Sequence, residues 1–318
     1  MSLSAWLNRL GPFLGLAVVF VLFAILTPDS FLSSRNLETS LRQSVVVGTA
    51  ALGMTVVIVA GGIDLSVGSV VALVTVVIAY LLKRHDWPPA LAATAGLATG
   101  ALCGTVNGLL VTRLRVVPFI VTLGTLLIVR GIAKDLADDA KITPRATGLN
   151  DLLTRPEGSL GWMGVAPGVW IMLLLAAAVA ALLRYTVLGR HVFAVGSNEP
   201  AARLCGVPVD RVKITVYALG GLFAGVSGLM LFSYLGGGDS TEAGGLELDV
   251  IAAVVIGGGS LAGGEGSVLG TLVGALIMQV LDSGSSLMGW PNRVQEIVTG
   301  AIIVAAVALD RLRHRRSS

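Results

Sequence analysis

Residues 44–82 read SVVVGTAALGMTVVIVAGGIDLSVGSVVALVTVVIAYLL. Two apolar runs, 44–61 and 66–82, flank a break, Gly61-Gly62-Ile63-Asp64-Leu65-Ser66. A helix of about 17–25 apolar residues crosses a bilayer core of roughly 30 Å, so each run has the length of a membrane span. An Asp at the centre of such a helix costs about 2.5–3.5 kcal/mol on insertion scales. Asp64 therefore belongs either to an interfacial turn or to a polar cavity, where broken helices are tolerated at membrane depth. The first reading makes Asp64 structural; the second gives it a part in a pathway or a conformational change.

Eight more apolar runs follow the same scheme, at 11–26, 90–111, 117–133, 168–183, 212–235, 248–260, 267–281 and 294–309. The run 248–260 is short, and the Gly-rich stretch 257–266 separates it from the next. The pair reads as two short crossings or a re-entrant hairpin, and either way the chain returns to the side it left. The expected fold is all-α: one polytopic membrane domain over 1–318, with about ten transmembrane helices and two Gly-rich broken or re-entrant regions.

Composition agrees. The 318-residue chain is 54% hydrophobic and 13% charged, with 41 Gly and 11 Pro. Soluble domains carry roughly 25% charge. Disorder is excluded by the hydrophobicity, and collagen by the lack of a Gly-X-Y period. A soluble two-domain enzyme does not fit. Cys103 and Cys205 are far apart and form neither a disulfide framework nor a metal cluster. No small-x-small cleavage site follows the first run, so it reads as a retained helix.

Orientation follows from the Lys/Arg bias. The segment 184–213 carries Arg184, Arg190, Arg203, Arg211 and Lys213; the tail carries Arg311, Arg313, Arg315 and Arg316. Ten crossings put both clusters and the N-terminus on one side. That side holds twelve of the 22 Lys and Arg, so the argument rests on the two clusters. Both termini and the loop 184–211 are expected to be cytoplasmic, and the loop 134–167 extracytoplasmic.

The cytoplasmic loop holds the most specific local signal. Asn198 is a good N-cap, and Glu199 and Pro200 suit a first turn at the positive end of the helix dipole. Ala201, Ala202, Arg203 and Leu204 favour helix, and Gly206 with Pro208 ends it. The result is a helix of about two turns outside the membrane. Alone it is marginal in water, so it packs on a partner or on the rest of the chain.

Glu199-x-Ala201-Ala202-x-x-x-Gly206 resembles the coupling loop of ATP-binding cassette (ABC) importer permeases. Gly61-Gly62-Ile63-Asp64-Leu65-Ser66-Val67-Gly68-Ser69, Pro118-Phe119-Ile120-Val121-Thr122-Leu123-Gly124-Thr125 and Ala252-Ala253-Val254-Val255-Ile256-Gly257-Gly258 resemble the monosaccharide permeases of ribose, xylose and galactose type. The likeness covers roughly 41–310 in order and spacing, and departs at Pro200 and Cys205. It implies a permease subunit of an inner-membrane importer, paired with a second copy or a related permease. A separate cytosolic ATPase would use the ATP, and an extracytoplasmic solute-binding protein would deliver substrate. Asn198, Glu199, Ala201, Ala202, Arg203 and Gly206 would then form the ATPase-coupling helix.

Asp64, Ser66, Asn107, Phe119 and Thr122 are the pathway candidates. An aromatic ring with hydrogen-bonding groups in apolar runs suits a sugar, and helix packing is the plainer reading. Small-xxx-small series, Gly100/Gly104/Gly108, Gly221/Gly225 and Gly266/Gly270/Gly274, let helices touch in lipid. They serve packing within the chain or a seam between copies. The acidic stretch 239–249 reads as an extracytoplasmic loop, solvated or docking a binding protein.

No Walker A loop is present, because no Lys follows a Gly. The chain itself is therefore expected to bind no cofactor and to catalyse nothing. Stretch 257–266 lacks the βαβ setting of a dinucleotide site. Gly225-Val226-Ser227-Gly228 imitates an intramembrane protease motif, but His85, His191 and His314 all fall in loops or the tail. No metal-ligand spacing occurs, and the basic residues give no nucleic-acid surface. The rivals are an ion-gradient-driven transporter, an ABC permease for branched-chain amino acids and, more weakly, a channel.

Overall fold

A computed structural model describes residues 3–155 and 164–315. Each apolar run coincides with a described helix, and three shorter helices, at 28–31, 187–197 and 199–204, lie between the runs. In chain order they are α1 (Leu3–Leu26), α2 (Pro28–Phe31), α3 (Ser34–Val59), α4 (Val67–Arg84), α5 (Pro89–Leu114), α6 (Pro118–Ala137), α7 (Pro167–Tyr185), α8 (Val187–Ser197), α9 (Glu199–Leu204), α10 (Val209–Leu235), α11 (Leu246–Ile256), α12 (Val268–Leu287) and α13 (Asn292–Arg315). Proline opens α2, α5, α6 and α7, where its missing N–H costs nothing. Gly236, left-handed at φ 65°, closes α10.

Six helices are long and apolar enough to cross a membrane by length and composition: α3, α4, α5, α7, α10 and α12. Leu10–Leu26 is a shorter apolar segment. Helix α6 has 20 residues and carries Arg130, Lys134 and Asp135. Helix α11 has only 11 residues, about 16 Å at 1.5 Å per residue. That is half a bilayer core, so α11 and α12 form a hairpin of a half-helix and a full helix.

The core is built around α3, packed by α10, α12, α7 and α11. Hydrogen bonds tie α3 to α12 along its length: Thr55 to Thr271 (2.8 Å), Gln279 to Gln43 (2.9 Å) and Ser283 to Asn36 (2.9 Å). Ser227 of α10 donates to the Val46 carbonyl at 2.8 Å. Such bonds matter where lipid offers no hydrophobic drive between helices. Leu102, Leu127, Ile128 and Leu174 stay exposed on α5, α6 and α7, as lipid-facing residues do.

The glycine series resolve to packing within the chain. A methyl on Gly100 or Gly104 would strike the Gly221 or Tyr217 carbonyl of α10, and one on Gly108 would strike Ile214. Gly270 lies against Gly257, and Gly274 against the Ala253 carbonyl of α11. These faces are consumed inside one chain and leave no seam for a second copy.

The segment between α10 and α11 packs on the bundle along part of its length. From the end of the bundle away from α9, it runs back along α4. Gly238 sits against Thr75 and Ala79, and the Ala243 carbonyl and Glu247 carboxylate sit against Gly68. On its far side α6 supplies Arg130, half-buried, whose guanidinium donates to the carbonyls of Ser240 (2.7 Å), Glu242 (2.7 Å) and Ala243 (3.4 Å). Within 239–249 the backbone is held at Ser240, Glu242 and Ala243 while Thr241, Glu242 and Gly244 stay exposed, and the stretch leads into α11. Ile142 pairs with Gly238 in an isolated bridge, and a 3-10 turn, Gly148–Leu153, hydrogen-bonds Ser233 of α10. The described part of loop 134–167 is thus pinned to the bundle.

Candidate functional site

The loop 184–211 folds as two helices rather than one. Thr186 caps α8, accepting from Gly189 N at 3.0 Å. Asn198 caps α9, its Oδ1 accepting from Ala201 N at 2.9 Å. Glu199 accepts from Lys213 (2.7 Å) and Arg203 (3.3 Å), and Arg203 also donates to Asp210 (3.0 Å). This network staples α9 to the first turn of α10. Gly206, at φ 82°, makes the left-handed exit that a side chain would strain. Burial pushes the Glu199 carboxyl upward, but the hydrogen bonds and charges of Lys213 and Arg203 outweigh it and hold it below its usual 4.5.

The two faces of α9 differ. Ala202 is 5% exposed and packs on the chain itself. Leu204 is 90% exposed, beside exposed Ala201 and Cys205. Leu204, Ala201 and Cys205 thus share the solvent side of α9, opposite buried Ala202. Sequence alone put Ala202 in the coupling set and gave Leu204 only as a helix former. The missing signal was a side-chain direction, which residue type alone does not carry.

The end of α8 meets both Gly-rich breaks. Gly196 lies backbone to backbone with Gly61 and Gly263, and a methyl on Gly196 would overlap the Val59 carbonyl. Gly264 N donates to Val59 O at 2.9 Å, tying the 257–266 break to the end of α3. Three segments far apart in sequence therefore share one glycine junction, one residue from Ser197 and two from the cap of α9.

Four of the five pathway candidates gather next to this junction. Asp64, 2% exposed, accepts from Ser66 N (2.9 Å) and Ser66 Oγ (2.6 Å). Asn107 Nδ2 donates to Ser66 Oγ at 2.8 Å and more weakly to both Asp64 oxygens, at 3.4 and 3.5 Å. Thr122 and Tyr217 both donate to the Ile63 carbonyl, at 3.2 and 3.3 Å. Asp64, Ser66, Asn107, Thr122 and Tyr217 are all buried, so the group is a closed polar knot joining the α3–α4 break to α5, α6 and α10. Phe119 stands apart, 46% exposed on the outer face of α6. Tyr217 was not anticipated; its hydroxyl does what Thr122 does from another helix.

A cavity of about 730 Å3 lies elsewhere, between α11, α12 and α13, with Val47 of α3 at its edge. Among the described residues no group of His, Cys, Asp and Glu is placed to hold a metal ion. The side chains of Arg9, Arg311, Arg313, Arg315 and Arg316, on which the orientation partly rests, lie outside the described residues.

Residues 36–307 match the family described as branched-chain amino acid transport system / permease component. The chain is similar to the ribose import permease protein of Escherichia coli K12, 39% identical over 81% of this chain and 80% of the relative. It is 40% identical to the ribose import permease protein of Bacillus subtilis, over 80% and 78%. It is 38% identical to the fructose import permease protein of Rhizobium meliloti, over 79% and 70%. No solved structure gives a significant match.

Proposed function

The chain belongs to the permease-component family of branched-chain amino acid transport systems, among its sugar-importing ABC permeases, and from that premise we propose how it works. It is a multi-pass inner-membrane permease subunit of an ABC importer for a monosaccharide or a related small polar solute. Ribose and fructose are what the relatives' names carry; the member of that class used here is left to the binding protein. An ATPase and a solute-binding protein are the partners such a permease serves.

Finer parts of the reading are ours. The chain crosses the membrane about ten times if α11 and α12 are counted as a pair, with both termini cytoplasmic. It works as a pair of copies, with ATP bound only by the separate ATPase. Helix α9 seats in that ATPase through Ala201 and Leu204, held rigid by the Glu199–Arg203–Lys213–Asp210 network. Movement of α9 reaches Gly196, then Gly61, Gly263 and Val59, and so shifts both Gly-rich breaks together. The Asp64–Ser66–Asn107 knot keeps the α3–α4 break stiff enough to move as a unit, with Thr122 joining it to α6. Phe119, on the outer face of α6, keeps a place only where a second copy meets that face.

The observation that carries the coupling is Leu204, bare on a helix fixed to the transport core. The test is to purify the tagged chain in mild detergent and identify what accompanies it. A stoichiometric ATPase is expected with the unsubstituted chain and is lost with Leu204→Glu. An intact chain that never carries an ATPase would shift the reading to the ion-driven rival.

A further inference from the structure

A second cavity, of about 360 Å3, opens between the first turns of α3 and the chain that leads into α7. Its charged lining is Arg35, Glu38 and Arg42 of α3, with Arg155 from the loop before α7; Leu41 and Val169 are on its apolar side. Arginine keeps its charge in proteins, so the cationic side chains outnumber the anionic one. Arg35, Glu38 and Arg42 fall at i, i+3 and i+7, on one stripe of the helix. That spacing suits an ion pair between Glu38 and either neighbour. Yet the ion pairs within 4 Å among the described residues are those of Arg203 and Lys213, at α9 and α10. The three arginines therefore line the cavity without an acidic partner among the described residues.

Arg42 gives an independent reason to see a ligand site. Its Nε is buried and has no hydrogen-bond partner. A buried charged donor left without an acceptor is costly, and the guanidinium fork matches phosphate oxygens. Depth then says which phosphate. Arg42 lies eight residues inside α3, about 12 Å along the helix from Ser34, within a helix of membrane length and composition. Arg35 and Arg155, at the rim, are exposed. Leu37 also lines the cavity and is 41% exposed, while Val169 is buried. The lining thus passes from a cationic rim to an apolar wall, as a phospholipid passes from headgroup to chain. A carboxylate on a soluble protein would have to reach below the rim, whereas a lipid of the surrounding leaflet is already at that depth.

We propose that this cavity holds the headgroup phosphate of an anionic phospholipid, of phosphatidylglycerol type, from the leaflet at the end of α3 away from α9. Arg42 donates to a phosphate oxygen through its Nε–H, and Arg35 and Arg155 close on the same group from the rim. The acyl chains run down the apolar surface beside the cavity. Lipids whose headgroup carries an ammonium are disfavoured, because the arginines repel it. Glu38 weakens the site by repelling the phosphate. A lipid bound there ties α3, the centre of the core, to α7. The site depends neither on the solute carried nor on the ATPase, so failure of the importer reading would leave it standing.

The experiment uses the full chain purified in mild detergent. Its retained lipids are read by native mass spectrometry, and its thermal midpoint is followed as phosphatidylglycerol, phosphatidylcholine or free glycerol phosphate is added. Phosphatidylglycerol is expected to stay bound and to raise the midpoint more than phosphatidylcholine does, with no effect of free glycerol phosphate at the same concentration. Arg42→Gln and Arg155→Gln should each bind phosphatidylglycerol about tenfold more weakly, through the loss of a charge-assisted hydrogen bond. Glu38→Gln should bind it more tightly. A gain of binding does not come from a damaged fold, so Glu38→Gln decides the matter even where Arg42→Gln folds poorly. An equal response to the two phospholipids, or one affinity shared by the unsubstituted chain and all three variants, overturns the assignment. Displacement of the lipid by free glycerol phosphate at matched concentration also overturns it, in favour of a soluble anion. So does Arg155→Gln losing the docking of a solute-binding protein while its lipid binding is unchanged, which would give the rim to that partner.

Discussion

Gly104 shows how little room the core leaves. A methyl there would overlap the Tyr217 carbonyl and lie 2.9 Å from Gly221 of α10. Gly104→Ala should therefore lower stability by about 1–3 kcal/mol, the usual penalty of overpacking. Gly124 in α6 has nothing within 4 Å, so Gly124→Ala should be neutral or gain up to about 1 kcal/mol of helix propensity. Thermal unfolding of both variants in the same detergent checks the pair; equal midpoints would refute the close approach. Glu199 supplies a pH test. Its carboxyl is held below 4.5 by the sum of its surroundings, so its ion pairs contribute above the unfolded value and fade as pH falls through the lower folded one. The deficit of Glu199→Gln relative to the unsubstituted chain, about 0–1 kcal/mol at neutral pH because the group is partly exposed, should close under acid below 4.5.

At the scale of elements, the half-helix α11 depends on a residue from another helix. Arg130 holds three carbonyls of the turn before it. Arg130→Gln should loosen that turn, and faster amide exchange over 244–249 is the readout, with Arg130→Lys intermediate because it keeps the charge and loses the fork. Unchanged exchange would show that α4 alone holds the turn. The sequence made the helices legible because apolar runs near span length leave little else to be. It flagged both breaks through Gly61 and Gly257, and it flagged α9 through Asn198 and Gly206. It did not show α8, whose mixed residues read as loop until Thr186 is seen to cap them. Nor did it show that 239–249 turns inward, since acidic residues read as solvated while their backbone is bound to Arg130 and α4. Asp64, Ser66 and Asn107 could be picked as polar groups in apolar runs. That they close on each other is a matter of which helices touch.

For the whole molecule, the proposed orientation puts α9 on the side of the ATPase and the mouth of the α10–α11 turn on the other. Cys205, exposed at the end of α9, reports on this directly. In a Cys103→Ala chain, an impermeant thiol reagent should label Cys205 in inside-out vesicles stripped of the ATPase and spare it in right-side-out ones. Rebinding the ATPase should protect it. Labelling from the outer side would invert the orientation and remove α9 from any cytosolic partner.

In the proposed mechanism this permease moves its solute only when a partner ATPase acts through α9. The most direct measurement is monosaccharide uptake by the complete transporter in energised vesicles, with and without ATP, for the unsubstituted chain and for Leu204→Glu. Uptake that needs ATP, and that Leu204→Glu abolishes while the permease stays folded in the membrane, is the result expected. Uptake that continues without ATP, or that Leu204→Glu leaves intact, would contradict it.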